Sequence, residues 1–427
     1  MSKNIFSKAK KAINNLKVGF ITGCADDDPS GISSYSQTGA MFGLSQLWLS
    51  LFTFPFMVAI QEMCGRLGLV TGKGLAQLIK ENFSKKILYF AVLLLFLANI
   101  LNIGADLGAM AASMEMVTGG HPIFWMLVLT TLIILLQITM PYQMYAKALK
   151  YFGLFLCSYI VTAFLIHEDW QNIWISLITP HIEFTKEYAL NIVAILGTTI
   201  SPYLFFWESS QEVEEAYVKK KIMDVGAGQK PKRVGNVTIR NMGIDTAIGM
   251  FFSQAIMFFI IIVTASTLNA QGITDIATAP QAAEALRPFA GDFAYLLFAI
   301  GIVGIGLLAI PVLCGSAAYA MCETFGWKYG MNKGIGHAKQ FYGVMVVAML
   351  IGMAMNFMHF DAIKALYYSA AFNGLTAPPL MALIVILSAS KVIMGKHKNK
   401  RWQTNLGWII TALMAIAGVA TIGSAFI

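Results

Sequence analysis

Two polar, proline-bearing stretches interrupt otherwise apolar parts of this chain: Ala25-Asp26-Asp27-Asp28-Pro29-Ser30-Gly31 and Thr198-Thr199-Ile200-Ser201-Pro202. A carboxylate inside a membrane-spanning segment is costly, so its default reading is a role in handling an ion, a proton or a substrate. Pro29 lacks a backbone donor and disfavours helix at Asp28, while Gly31 admits unusual backbone angles. Carbonyls freed around Ala25 to Asp28 would join the Asp28 carboxylate as oxygen ligands for a cation. The competing reading is an aqueous vestibule that the aspartates merely solvate. Three adjacent charges cannot all coordinate one ion without strong mutual repulsion. Asp26 and Asp27 therefore stay open between ligand, proton relay and vestibule wall.

Downstream of the second break, Ser201, Glu208, Gln211, Glu212 and Glu215 recur at helical spacing, which places them on one face. Such a stripe could lead a cation toward the cytoplasm, with Glu208 the deepest of the set. The alternative for Glu212 and Glu215 is a solvated helix end balanced by Lys219 to Lys221. Asp106, in Asn102-Ile103-Gly104-Ala105-Asp106, is an isolated carboxylate in an apolar segment. It reads equally as a proton relay or as a packing carboxylate held by polar neighbours. Tyr203 reads either as a relay or as a core tyrosine with a satisfied hydroxyl. Asn373-Gly374 reads as a packing bend, and the scattered methionines indicate no soft-metal site.

The elements that must position these residues follow from composition. The chain has 427 residues, 57% hydrophobic and 12% charged, against about a quarter charged in soluble domains. It is expected to be an all-α integral membrane protein. Apolar runs of spanning length fall near 17–43, 47–66, 87–112, 122–140, 147–166, 188–217, 243–267, 292–322, 340–358, 362–390 and 403–425, which predicts eleven transmembrane helices. With the N-terminus placed in the cytoplasm and the C-terminus outside, only Lys186, Arg287 and Lys364 of the 30 Lys and Arg fall on the external side. That asymmetry is what the positive-inside rule requires, so the basic net charge is a topology signal and calls for no nucleic acid. The five cysteines lack metal-finger spacing and read as small packing residues. No cleavable signal peptide is expected. The Lys- and Gly-rich stretch 219–240 reads as a flexible cytoplasmic connection.

The breaks fall in segments one and six. Five segments followed by five of opposite orientation, each half opening with a broken helix, is an inverted repeat. It assigns repeat one to about 17–166, repeat two to about 188–390 and an extra helix to 403–425, all within one transmembrane domain. Unwound helices at matching places in two halves are the sequence pointer to a transporter's substrate site.

At these residues the chain resembles the Nramp family of proton-coupled divalent metal transporters. Gln61 to Gln77, Ala105-Asp106-Leu107-Gly108-Ala109, Gly197 to Pro202 and Gly315 to Phe325 are similar to that family's patterns. The resemblance implies a LeuT-like 5+5 inverted repeat with helices 1 and 6 unwound. It implies metal ligation by Asp28 and at the positions of Thr198 and Ser201; with the freed Ala25 carbonyl and the Glu208 carboxylate these make up the expected ligand set. The site departs from the family pattern. Asp-Pro-Gly-Asn becomes Asp28-Pro29-Ser30-Gly31, Met-Pro-His becomes Ser201-Pro202-Tyr203, a second histidine is matched by Glu208, and a third-segment glutamate becomes Ala109. Replacing thioether by hydroxyl favours hard ions, and magnesium is commonly held by one or two carboxylates with waters retained. The expected function is import of a hard divalent cation, Mg²⁺ or Mn²⁺, by alternating access, with proton coupling in question. A carrier of an organic amine or amino acid on the same architecture is the alternative. A magnesium–diphosphate enzyme would need a second acidic cluster and nearby basic residues, which the spans lack. Apart from the transported ion and lipid, no cofactor or obligate protein partner is expected.

Overall fold

A computed structural model describes residues 18–140, 155–166, 169–226, 228, 230–231, 234–358 and 361–424. The basic stretch Lys3 to Lys17, Lys147 and Lys150, and the start of the predicted 147–166 span lie outside the described residues. Those described are helical with connecting turns, and no strand occurs among them.

Helices α1 (Val18–Asp26) and α2 (Pro29–Phe42) flank the first break, followed by α3 (Phe54–Thr71), α4 (Leu75–Asn82), α5 (Lys85–Thr118), α6 (Pro122–Thr139) and α7 (Cys157–Leu165). Helices α8 (Lys186–Thr199) and α9 (Pro202–Val218) flank the second break. The chain continues with α10 (Asn236–Thr267), α11 (Ala294–Phe325), α12 (Lys339–Met355), α13 (Ala362–Ala389) and α14 (Arg401–Ser424). Seven helical stretches among the described residues are long and apolar enough to cross a membrane, namely those containing α5, α6, α8 with α9, α10, α11, α13 and α14. Burial is inverted relative to a soluble protein. Leu93, Phe124, Leu135 and Val419 are more than half exposed, whereas Asp26, Asp27, Asp106 and Glu208 are wholly buried. Apolar side chains outward and carboxylates inward is the arrangement lipid imposes.

Both breaks have one cause. Pro29 and Pro202 open α2 and α9 in the first turn, where a missing N–H costs nothing. In a continuous helix their nitrogens would have bonded the carbonyls four residues back, Ala25 and Thr198, so each proline frees one carbonyl. Asp28 caps the restarted α2, its carboxylate accepting from Gly31 N. The sequence placed the second span at 47–66, whereas α3 runs from Phe54 to Thr71. Polar residues that look like a span end are satisfied inside the helix. Glu62 and Arg66 pair at 3.2 Å one turn apart, and Arg66 also donates to the His397 carbonyl at 3.2 Å. Helix α13 runs unbroken through Asn373-Gly374.

Two crossings carry the broken helices. A Cβ at Gly23 of α1 would fall 2.3 Å from the Gly249 carbonyl of α10, and one at Gly197 of α8 would fall 2.0 Å from the Ala370 carbonyl of α13. Small residues that let backbones touch are the usual glue of membrane helices. Gly23→Ala cannot be absorbed by a side-chain shift because the obstacle is backbone. The expected result is a loss of roughly 1–3 kcal/mol, read as a lower melting temperature of the purified protein in detergent. An unchanged melting temperature would refute this close crossing.

Candidate metal site

At the first break, Asp28 is 1% exposed. Its Oδ1 accepts from Ser30 Oγ at 2.5 Å and from Gly31 N at 2.9 Å. These two donors hold the carboxylate at the mouth of α2, where the helix N-terminus also favours negative charge. Its Oδ2 lies 3.3 Å from the Tyr203 hydroxyl, which donates more closely to the Ala25 carbonyl at 2.8 Å. One hydroxyl has one proton, so Tyr203 is engaged by the carbonyl that Pro29 frees. Asp28 Oδ2 keeps lone pairs for another partner. Tyr203 is thus a satisfied tyrosine that nevertheless ties α9 to the first break.

The second break meets the first through Thr198. A Cβ on Gly31 would sit 3.2 Å from Thr198 Oγ1 and 3.3 Å from the Asp26 carbonyl. The absence of a side chain at Gly31 is what lets α8 end against the start of α2. Ser201, ahead of α9, turns back on the end of α8, its one hydroxyl proton within reach of Gly197 O at 2.9 Å and Thr198 O at 2.7 Å. It covers the carbonyl that Pro202 frees, and its oxygen keeps its lone pairs. Asp28, Ala25, Tyr203 and Thr198 are therefore brought together, with Ser201 at the adjoining turn.

The other predicted residues fall elsewhere. Glu208 is about 10 Å along α9 from Ser201, at 1.5 Å per residue. It accepts from Thr22 Oγ1 at 2.5 Å and from Thr246 Oγ1 at 3.3 Å. Gln211 faces α11 instead, donating to the Tyr319 hydroxyl at 3.1 Å. Glu212 is 7% exposed, so it is not a freely solvated helix end. The stripe read as one face thus divides, Glu208 meeting α1 and α10 and Gln211 meeting α11. Asp106 is wholly buried with neither oxygen hydrogen-bonded, and it lies close enough to Asp28 for their charges to interact. Asp26 and Asp27 both reach Ser253 Oγ on α10, at 2.6 and 3.0 Å. Among the described residues no group of three or more His, Cys, Asp or Glu side chains is disposed to hold a metal. A cation at the breaks would therefore rest on one carboxylate supplemented by carbonyl and hydroxyl oxygens.

Sequence reasoning missed Ser253, Thr22 and Thr246, each a small polar residue in an apolar helix and each bonded to a carboxylate. It also missed the fastenings at either end of the broken helices. Asn191 of α8 donates to Thr38 of α2 at 2.8 Å and to Gln46 at 2.6 Å. At the far end of α9, Glu214 accepts from Tyr319, Met331 N and Asn332 at 3.0, 2.7 and 2.7 Å. Glu323 of α11 accepts from Ser210 and from Gln77 N of α4, both at 3.0 Å.

An all-helical membrane protein with two proline-broken helices meeting at a carboxylate has the architecture of known transport proteins. The fold aligns at TM-score 0.60 with Mhp1, a nucleobase-cation-symport-1 family transporter, at 11% identity over 95% of this chain and 90% of that one. It aligns at TM-score 0.74 with the Eremococcus coleocola manganese transporter, at 16% identity over 95% and 85% of the two chains. The chain belongs to the Nramp, or natural resistance-associated macrophage protein-like, family, whose profile matches residues 19–424. Among curated relatives it is similar to the divalent metal cation transporter MntH of Mycobacterium tuberculosis, 22% identical over 95% of this chain and 90% of that protein.

Proposed function

We propose that this protein is a secondary transporter that imports a hard divalent cation, Mg²⁺ or Mn²⁺, across the cell membrane by alternating access. The observation that carries this reading is the Asp28 carboxylate. It is buried in the bundle and fastened through one oxygen, with the freed Ala25 carbonyl and the Thr198 hydroxyl beside it. Relatives named as divalent metal and manganese transporters support it. Hydroxyl at Ser201, where the family pattern has a thioether, favours harder ions.

In this reading eleven spans form two inverted five-helix repeats and an appended helix, with spans one and six unwound around the ion and the lysine-rich loops in the cytoplasm. The ion comes in from outside, meets Asp28, Ala25, Thr198 and Ser201, and leaves past Glu208 and Glu212. Rocking of the broken spans would release in turn the Asn191 fastening at one end and the Glu214 and Glu323 fastenings at the other. The membrane potential drives import, since each charge gains about 2.3 kcal/mol per 100 mV and a divalent ion gains twice that.

Uptake of magnesium, manganese and calcium, presented separately to proteoliposomes holding the purified protein, tests the reading. Magnesium or manganese flux that rises with an inside-negative potential is the expected outcome. An internal pH dye shows whether protons accompany the ion, with Asp106 and Glu208 as the residues placed to relay them. Absence of flux for every divalent ion would overturn the proposal and make an organic amine the next substrate to try.

A further inference from the structure

Asp26 and Asp27 do not share the surroundings of Asp28. Both are wholly buried, and both reach across the helix interface to one hydroxyl, Ser253 Oγ of α10. That hydroxyl has a single proton and can donate to only one of the two carboxylates at a time. The remaining oxygens, Asp26 Oδ1 and Asp27 Oδ2, are buried with no hydrogen-bond partner. Three of the four carboxylate oxygens thus lack a donor. None of the ion pairs among the described residues involves either aspartate. Buried carboxylates left in this condition are strongly destabilising when ionised, and they are relieved either by protons or by a cation lying among them; two side by side on one hydroxyl are disposed to share a cation.

We infer that Asp26, Asp27 and Ser253 form a second binding site for a hard divalent cation, on the α10 side of the first break and separate from the Asp28 site. The inference rests on the transport reading. Two carboxylates and a hydroxyl are hard donors, and magnesium in particular is held by one or two carboxylates while it keeps several waters. Charge balance points the same way. Asp26, Asp27, Asp28 and Asp106 are four carboxylates, each at most 1% exposed. When ionised they carry four negative charges, which two divalent ions neutralise and one does not. Two ions in neighbouring sites repel, so arrival of one weakens the hold on the other, which reconciles tight binding with release.

Manganese is the probe, its free aqueous ion counted by electron paramagnetic resonance against purified full-length protein in nanodiscs. The expected stoichiometry is two ions per chain in the wild type and one in Asp28→Asn. It is also one in the double variant Asp26→Asn, Asp27→Asn. Ser253→Ala is expected to weaken one of two binding steps by about tenfold, the effect of losing roughly 1.4 kcal/mol. One retained ion, bound no more weakly than the first ion of the wild type, shows that a variant is folded. A wild-type stoichiometry of one, unaltered by Ser253→Ala, would overturn the second site while leaving transport standing. No binding and no flux would instead fail the transport reading itself. Displacement of the second ion by sodium, but not by choline, would overturn the divalent assignment.

Discussion

Asp28→Asn is expected to abolish divalent uptake while leaving the fold in place. The two roles of Asp28 can be separated because they use different properties of the side chain. As the residue that caps α2 it needs only an oxygen to accept from Gly31 N, and asparagine caps a helix about as well as aspartate. As a ligand it needs the negative charge, which asparagine lacks. Removing one member of a desolvated charge pair costs about 3–5 kcal/mol, so uptake should fall by at least roughly a hundredfold at about 1.4 kcal/mol per factor of ten. Asp28→Ala should lose uptake equally and in addition lose about 1 kcal/mol of stability with the cap. Melting curves of the two variants, measured beside proteoliposome flux, separate the effects. Wild-type flux from Asp28→Asn would remove this residue from the ion path.

The second large effect is expected from Ser201→Met. Thioether sulfur prefers soft ions and hydroxyl oxygen hard ones, so uptake of cadmium relative to magnesium should rise by about tenfold, corresponding to roughly 1.4 kcal/mol of differential binding. The substitution removes the bonds to Gly197 O and Thr198 O at a position only 1% exposed. Methionine is the large side chain best able to adapt there, being unbranched and flexible. Competition between cadmium and magnesium in the uptake assay reads the ratio directly. A folded, transporting Ser201→Met protein with an unaltered ratio would show that the residue at this turn does not touch the ion.

The two breaks were legible in the sequence. Proline at positions 29 and 202 predicts that two helices must restart, and the structure restarts them there. Which carbonyls are freed follows from helix geometry alone, so Ala25 could be named from its distance to Pro29. The helical period, by contrast, misled for the stripe that starts at Glu208. Spacing of three and four places residues on one face only to within about a third of a turn, which is wide enough for Glu208 and Gln211 to meet different helices. Arg66 likewise looked like the end of a span. Hydropathy cannot see a donor satisfied from 331 positions away, at His397.

The sequence by itself determined that this chain is helical and lives in a bilayer, that two helices break, and that the last of three consecutive aspartates opens the helix after the first break. Each of these is a local consequence of backbone chemistry or of apolar length. Only the tertiary structure decided that Asp26 and Asp27 share the Ser253 hydroxyl, that Tyr203 binds the freed Ala25 carbonyl, and that Thr198 rests against Gly31. Those pairings join residues far apart in the chain, and they depend on the depth and rotation at which helices pack. Such quantities are set by side chains on both partners at every crossing, down to glycines whose role is to be absent of bulk, and no single segment carries them.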